Sequence, residues 1–108
     1  MAELHVMYDE SIALKDAGKL DEAIAKLHEV LAMDANYALA HAGLSVFYQK
    51  QNQHDKAIEH ARQVCELEPD DPFSYTALSV TCQRAFAGTE DRSYIQMAEE
   101  ALVKSHRL

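Results

Sequence analysis

The chain has 108 residues, 48% of them hydrophobic and 26% charged, with a formal net charge of −8. That length carries one domain with a modest core, and three glycines with two prolines are too few turn formers for an all-β fold. The acidic balance speaks against nucleic acid or anionic membrane as the main partner, because phosphate binding needs a basic surface.

Taken in chain order, apolar residues recur at helical spacing almost throughout. Leu4, Met7, Tyr8, Ile12 and Leu14 predict a first helix, which Gly18 ends because glycine tolerates the left-handed conformation after a helix. Leu20, Ala23, Ile24, Leu27, Val30 and Leu31 predict a second, broken at Asp34 to Asn36. Leu39, Ala42, Leu44, Val46, Phe47 and Tyr48 predict a third, with Asn52 as the turn. Ala57, Ile58, Ala61, Val64, Cys65 and Leu67 predict a fourth. The run EPDDP follows, with Asp70 or Asp71 suited to cap a helix and Pro72 to its first position. Phe73, Leu78, Val80 and Cys82 predict a fifth helix, AGTED (87–91) a turn, and Ile95, Ala98, Ala101 and Leu102 a sixth. Short connections make consecutive helices antiparallel.

Residues 20–49 and 54–83 are two versions of one stretch. At a spacing of 34, Ala23 meets Ala57, Ile24 meets Ile58, Val30 meets Val64, Leu44 meets Leu78, Ser45 meets Ser79 and Gln49 meets Gln83. A third copy aligns Ile95 with Ile58 at a spacing of 37, which places three extra residues between Arg84 and Arg92 and predicts an enlarged loop there. Repeated helix pairs cannot bury their apolar faces alone, so the pairs stack.

A period of 34 with a helix–turn–helix unit resembles the tetratricopeptide repeat family. Leu44, Tyr48, Ala57 and Pro69 in the second copy, Gly18 and Ala23 in the first, and Tyr75 with Leu78 in the third stand where that family has such residues. Glu10, Met7, His41 and Ala35 depart from its pattern. The resemblance implies an all-α, right-handed α-α superhelix of three repeats in a single domain, with units at about 4–37, 38–71 and 72–108. It also implies a non-enzymatic scaffold whose first helices line a concave groove for a peptide or helix. That groove would take Tyr8, Ile12 and Lys15 from the first unit and Leu39, Gly43, Val46, Gln49 and Lys50 from the second. The third would add Phe73, Ala77, Val80, Gln83 and Arg84. Its middle reads as apolar and shallow, with Gly43 and Ala77 leaving room for a ligand side chain. Lys15, Lys50 and Arg84 at one end suit an acidic side chain or a C-terminal carboxylate, or simply complement helix dipoles. The family's two-carboxylate clamp for chaperone tails is not expected, since Tyr8, Ile12, Gly43, Phe73 and Ala77 occupy the matching positions.

No phosphate-cradling glycine loop, nucleophile elbow or H-E-x-x-H is present. The six histidines are scattered, and His54 and His60 share no helical face, so neither metal nor cofactor is expected. Cys65 and Cys82 fall at apolar positions and read as buried thiols, with a bridge open to them if their helices touch. No segment is apolar enough to span a bilayer, and the acidic MAELHVMYDE is unlike a secretory signal, so a cytoplasmic chain is expected. At the far end Tyr94, Met97, Leu102 and Leu108 have no later helix to cover them, which makes a homodimer the alternative to groove binding.

Overall fold

The computed structural model describes residues 2–108. It contains α1 (Ala2–Asp16), α2 (Leu20–Met33), α3 (Ala38–Lys50), α4 (His54–Leu67), α5 (Pro72–Thr89) and α6 (Ser93–Arg107), and no strand among the described residues. Local chemistry sets the boundaries. Gly18 turns the chain at φ +81°, and Asn52 does the same at φ 60°. The Asp34 carboxylate accepts from the Asn36 N–H at 3.0 Å, closing the turn after α2. Of the two candidate caps, Asp71 is the one used: its carboxylate accepts from the Phe73 N–H at 2.9 Å, with Pro72 at the first helical position.

Each helix packs on its neighbours in sequence, so three antiparallel hairpins form one stack. The first hairpin and α3 enclose the main core, in which Leu27, Val30, Leu44 and Phe47 are fully buried. The second core, between α4, α5 and α6, is much thinner: Ile58, Cys82, Ala85 and Ala98, with Leu78, Tyr94 and Met97 half-buried around it. Buried serines one repeat apart pin both later hairpins, since Ser45 Oγ donates to the Ala57 carbonyl at 2.8 Å and Ser79 Oγ to the Ala98 carbonyl at 2.9 Å.

The expected loop enlargement is corrected. The connection after α5 is only residues 90–92, no longer than 51–53, and 87–89 are helical instead of a turn. The extra chain lengthens the hairpin instead, since α5 has 18 residues where α3 has 13. Gly88, in the added turn of α5, passes close to the His54 ring at the start of α4: a Cβ there would lie 2.6 Å from its Nε2, so the ring would have to shift. Glu90, at φ 62°, then caps the lengthened helix.

The unequal cores give a stability test. Leu44 is fully buried, whereas its repeat partner Leu78 is half-buried. Leu44→Ala should cost about 2–5 kcal/mol in chemical denaturation, and Leu78→Ala clearly less. Equal costs would mean that the two junctions are equally well packed.

Candidate functional site

Helices α1, α3 and α5 form an inner row. Helix α3 approaches both α1 and α5, whereas no Cα of α2, α4 or α6 comes within 8 Å of another of that set. The closely spaced row is the inner arc of a curved stack, so its open side is concave. Between α3 and α5 this side holds a cleft of about 310 Å³, floored by Ala42, Val46, Ala77 and Val80 and edged by Gln49 and Arg84. Gln49 ties the two walls together: its amide donates to Thr81 Oγ1 at 3.2 Å, and its side-chain oxygen accepts from Arg84 Nη1 at 3.4 Å. A guanidinium has five N–H donors, so this bond leaves most of them for a ligand.

The structure thus brings Val46, Gln49, Ala77, Val80 and Arg84 together. Leu39 and Phe73, each at the start of its helix and seven residues before Val46 or Val80, are 46% and 79% exposed. Lys50 and Gln83 are exposed too, with the Gln83 amide donating to Ser79 Oγ at 3.2 Å. The first unit contributes less. Tyr8 and Ile12 are half-buried against the main core, and Lys15 is paired with Asp16 at 3.1 Å. Gly43 needs a correction. It is buried, and a Cβ there would meet Leu27 Cδ1 at 2.8 Å, so it leaves no room for a ligand and instead lets α3 settle onto α2. At the other end, Tyr94 and Met97 are not bare. Both pack on the second core, and the Tyr94 hydroxyl donates to Asp55 at 2.8 Å. Leu102 and Leu108 are exposed, 38% and 56%.

One cluster escaped the sequence reading. His28, His41 and His60 come from three different helices: His28 and His60 lie against the Tyr48 ring, and His41 lies against His60. His41 Nε2 donates to the Ala35 carbonyl at 2.9 Å, which leaves its Nδ1 to accept from His60 Nδ1 at 3.0 Å. The His60 ring stacks on Tyr48 with centroids 5.7 Å apart, the Tyr48 hydroxyl and His28 Nε2 are 2.8 Å apart, and Lys56 lies over the Tyr48 ring. Burial, then the neighbouring His41, pushes His60 down to about 4, with Glu59 pulling the other way. Burial and then Lys56 push His28 down. Among the described residues no three His, Cys, Asp or Glu side chains are arranged to hold a metal ion. Cys65 and Cys82 are both buried free thiols. No helix among the described residues is long and apolar enough to cross a membrane.

The tetratricopeptide repeat model matches residues 14–79, more than half of the sequence. The chain belongs to the tetratricopeptide repeat family. Among the solved structures it is similar to the crystal structure of MamA protein, with a TM-score of 0.72 and 23% identity over 96% of this chain. The chain spans 57% of the length of that structure. At this identity the likeness is one of fold. A search of the curated proteins finds no match. Repeats of this family generally mediate protein–protein interaction and generally carry no enzymatic activity.

The histidine cluster predicts a pH dependence. A histidine whose folded pKa lies below its ordinary 6.5 stays neutral in the fold and protonates first in the unfolded chain. Its stabilisation is therefore complete above pH 6.5, declines as pH falls, and levels off near 4, where the folded form also takes the proton. Thermal melts of the parent chain should fall through that window more steeply than those of His60→Gln. Parallel slopes would show that the cluster does not titrate with folding.

Proposed function

We propose that this tetratricopeptide repeat chain is a cytoplasmic, non-enzymatic scaffold that binds a peptide or a partner helix along the α3/α5 side of its groove. The observation that carries this reading is the juxtaposition of an apolar cleft with two exposed anchors. Val46, Ala77 and Val80 offer a shallow floor, and the exposed Leu39 and Phe73 lie seven residues before Val46 and Val80, on the same helical faces about two turns away. Exposed large side chains beside a groove are the kind that dominate binding energy once covered. Arg84, with Lys50 nearby in sequence register at the end of α3, favours a carboxylate at the same end of the ligand. The helix-dipole role of these cations needs no ligand at all, so charge reversal separates the two.

The test starts from peptides selected for binding to the intact chain by display. Phe73→Ala should weaken such peptides about tenfold or more. Lys50→Glu with Arg84→Glu should weaken those that end in, or carry, an acid. Peptides that bind both variants as tightly as the parent would place recognition elsewhere, and an unchanged affinity on charge reversal alone would remove the carboxylate from the reading.

A second reading, a homodimer, is favoured by one observation. Beside the exposed Leu102 lies a groove of about 360 Å³ between α5 and α6, lined by Phe86, Ile95, Ala98 and Leu102. Light scattering during size-exclusion chromatography, over a wide concentration range, distinguishes the two readings. The groove scaffold predicts a constant 12.1 kDa species. The dimer predicts a mass that doubles with concentration and returns to the monomer in Leu102→Asp.

A further inference from the structure

Each helix pair turns a back toward the next, and the three backs are built on equivalent positions. The first carries Ile24, Leu27 and Leu31 on α2, the second Ile58, Ala61 and Cys65 on α4, and the third Ile95, Ala98 and Leu102 on α6. Helix α3 covers the first set: Leu27 is fully buried, and its Cδ1 lies 2.8 Å from where a Cβ on Gly43 would stand. Helix α5 covers the second: Ile58, Ala61 and Cys65 are all buried, and Cys65 Sγ donates to the Ser74 carbonyl at 3.4 Å. No element among the described residues covers the third, where Ile95 and Leu102 are 37% and 38% exposed. They border a groove of about 360 Å³ whose opposite wall includes Gln83 and Phe86 of α5. The two ends of the stack are not alike. In the first pair Glu10 stands where Leu44 and Leu78 stand in the later ones, and its carboxylate is paired with Lys26 at 3.3 Å. That end is closed by charge, whereas the α5/α6 face is left apolar.

We infer that the α5/α6 face is a second docking surface, and that its occupant is an amphipathic helix of a partner that carries a lysine or arginine opposite Glu99. The two equivalent seats each receive a helix, and the third presents the same kind of stripe, with Ile95, Ala98 and Leu102 at i, i+3 and i+7 along α6. The charge follows from the same equivalence. Glu99 takes the position of His28 in the first seat and of Arg62 in the second. In the first seat that position reaches the covering helix, since His28 Nε2 lies 2.8 Å from the Tyr48 hydroxyl of α3. Glu99 is exposed, lines the groove and has no ion pair among the described residues. A cation on the covering helix complements it. The homodimer reading uses the same face, and the charges separate the two occupants. A copy added head to tail would bury the Glu10–Lys26 pair and desolvate both charges. A copy added face to face about a two-fold axis, Ile95 against Leu102, would bring the two Glu99 carboxylates beside each other. The face shares no lining residue with the α3/α5 cleft.

The probe is a stapled synthetic helix of leucine and alanine, about five turns long, with one leucine stripe and a single lysine beside it. Its counterpart carries glutamate in place of the lysine. Each is titrated into the whole ¹⁵N-labelled chain and read by amide chemical shifts. Saturable shifts are expected at Phe86, Ile95, Ala98 and Leu102, with the lysine helix binding about fivefold or more tightly than the glutamate helix. Glu99→Lys should reverse that preference, and Leu102→Asp should remove binding of both, each change being at an exposed position. Phe73→Ala should leave these shifts unchanged, so that failure here and failure of the α3/α5 groove are read separately. The inference is overturned if no saturable shifts appear on the α5/α6 face or if Glu99→Lys keeps the parent's preference. It is also overturned if the shifts at Ile95 and Leu102 grow with the concentration of the chain alone, which gives the face to a second copy. If Leu102→Asp does not fold, the charge exchange at Glu99 decides by itself.

Discussion

The volume of side chain standing between one helix pair and the next governs most of what this molecule is. An amphipathic hairpin has an apolar face that water penalises until a second hairpin covers it. At the first junction the covering is dense. Phe47 and Tyr48 enter from α3, and Leu27 fits against the bare backbone of Gly43, so that even a methyl group there would have to displace it. At the second junction the positions of Phe47, Tyr48 and Leu27 carry Thr81, Cys82 and Ala61. Smaller side chains at equivalent sites give a thinner core, a half-buried Leu78 and an open cleft. Dispersion contacts are lost wherever a wall atom faces a gap, so the second core gains less from packing than the first.

Helix α4 shows how one element serves both junctions. Its Ala57 lies in the main core and its His60 against Tyr48, while Ile58, Arg62 and Cys65 look toward the second junction. Ala61 and Val64 reach the inner cleft under α3 and α5. The electrostatics follow the same division. The filled junction holds its polar groups in a chain of hydrogen bonds from Ala35 through His41 to His60, and becomes sensitive to acid. The thinner one keeps its charges at the rim, in water.

Much of this was legible in the letters. The six helices, their antiparallel pairing and the repeat follow from apolar spacing and from turn chemistry at Gly18, Asn52 and Asp71–Pro72. The nearness of Val46 and Val80 was legible too, because they sit on the same helical face one repeat apart and line one cleft between α3 and α5. The hairpin extension was not. AGTED looks like a turn because Gly88 is a helix breaker by propensity, worth about 1 kcal/mol against alanine. In the packed structure Gly88 is helical and lies against the His54 ring, a neighbour that the letters do not reveal. Gly43 misled in the same way: its smallness serves a neighbouring leucine and not a ligand. Tyr94 and Met97 looked bare because their cover comes from α4, nearly 40 residues earlier in the chain.

The histidine cluster was illegible for a related reason. His28, His41 and His60 have no regular spacing, since they come from three helices, His28 and His60 onto Tyr48 and His41 onto His60. The signal that could have found the cluster lies in the mismatches of the repeat and not in its matches. Where Tyr48 stands over Cys82 and Leu31 over Cys65, two junctions of one design must differ in volume. Identities across a repeat report the scaffold, because the scaffold is what each copy has to rebuild. Differences at buried, equivalent positions report where the copies no longer do the same thing, and here they separate a titratable junction from a thinner one.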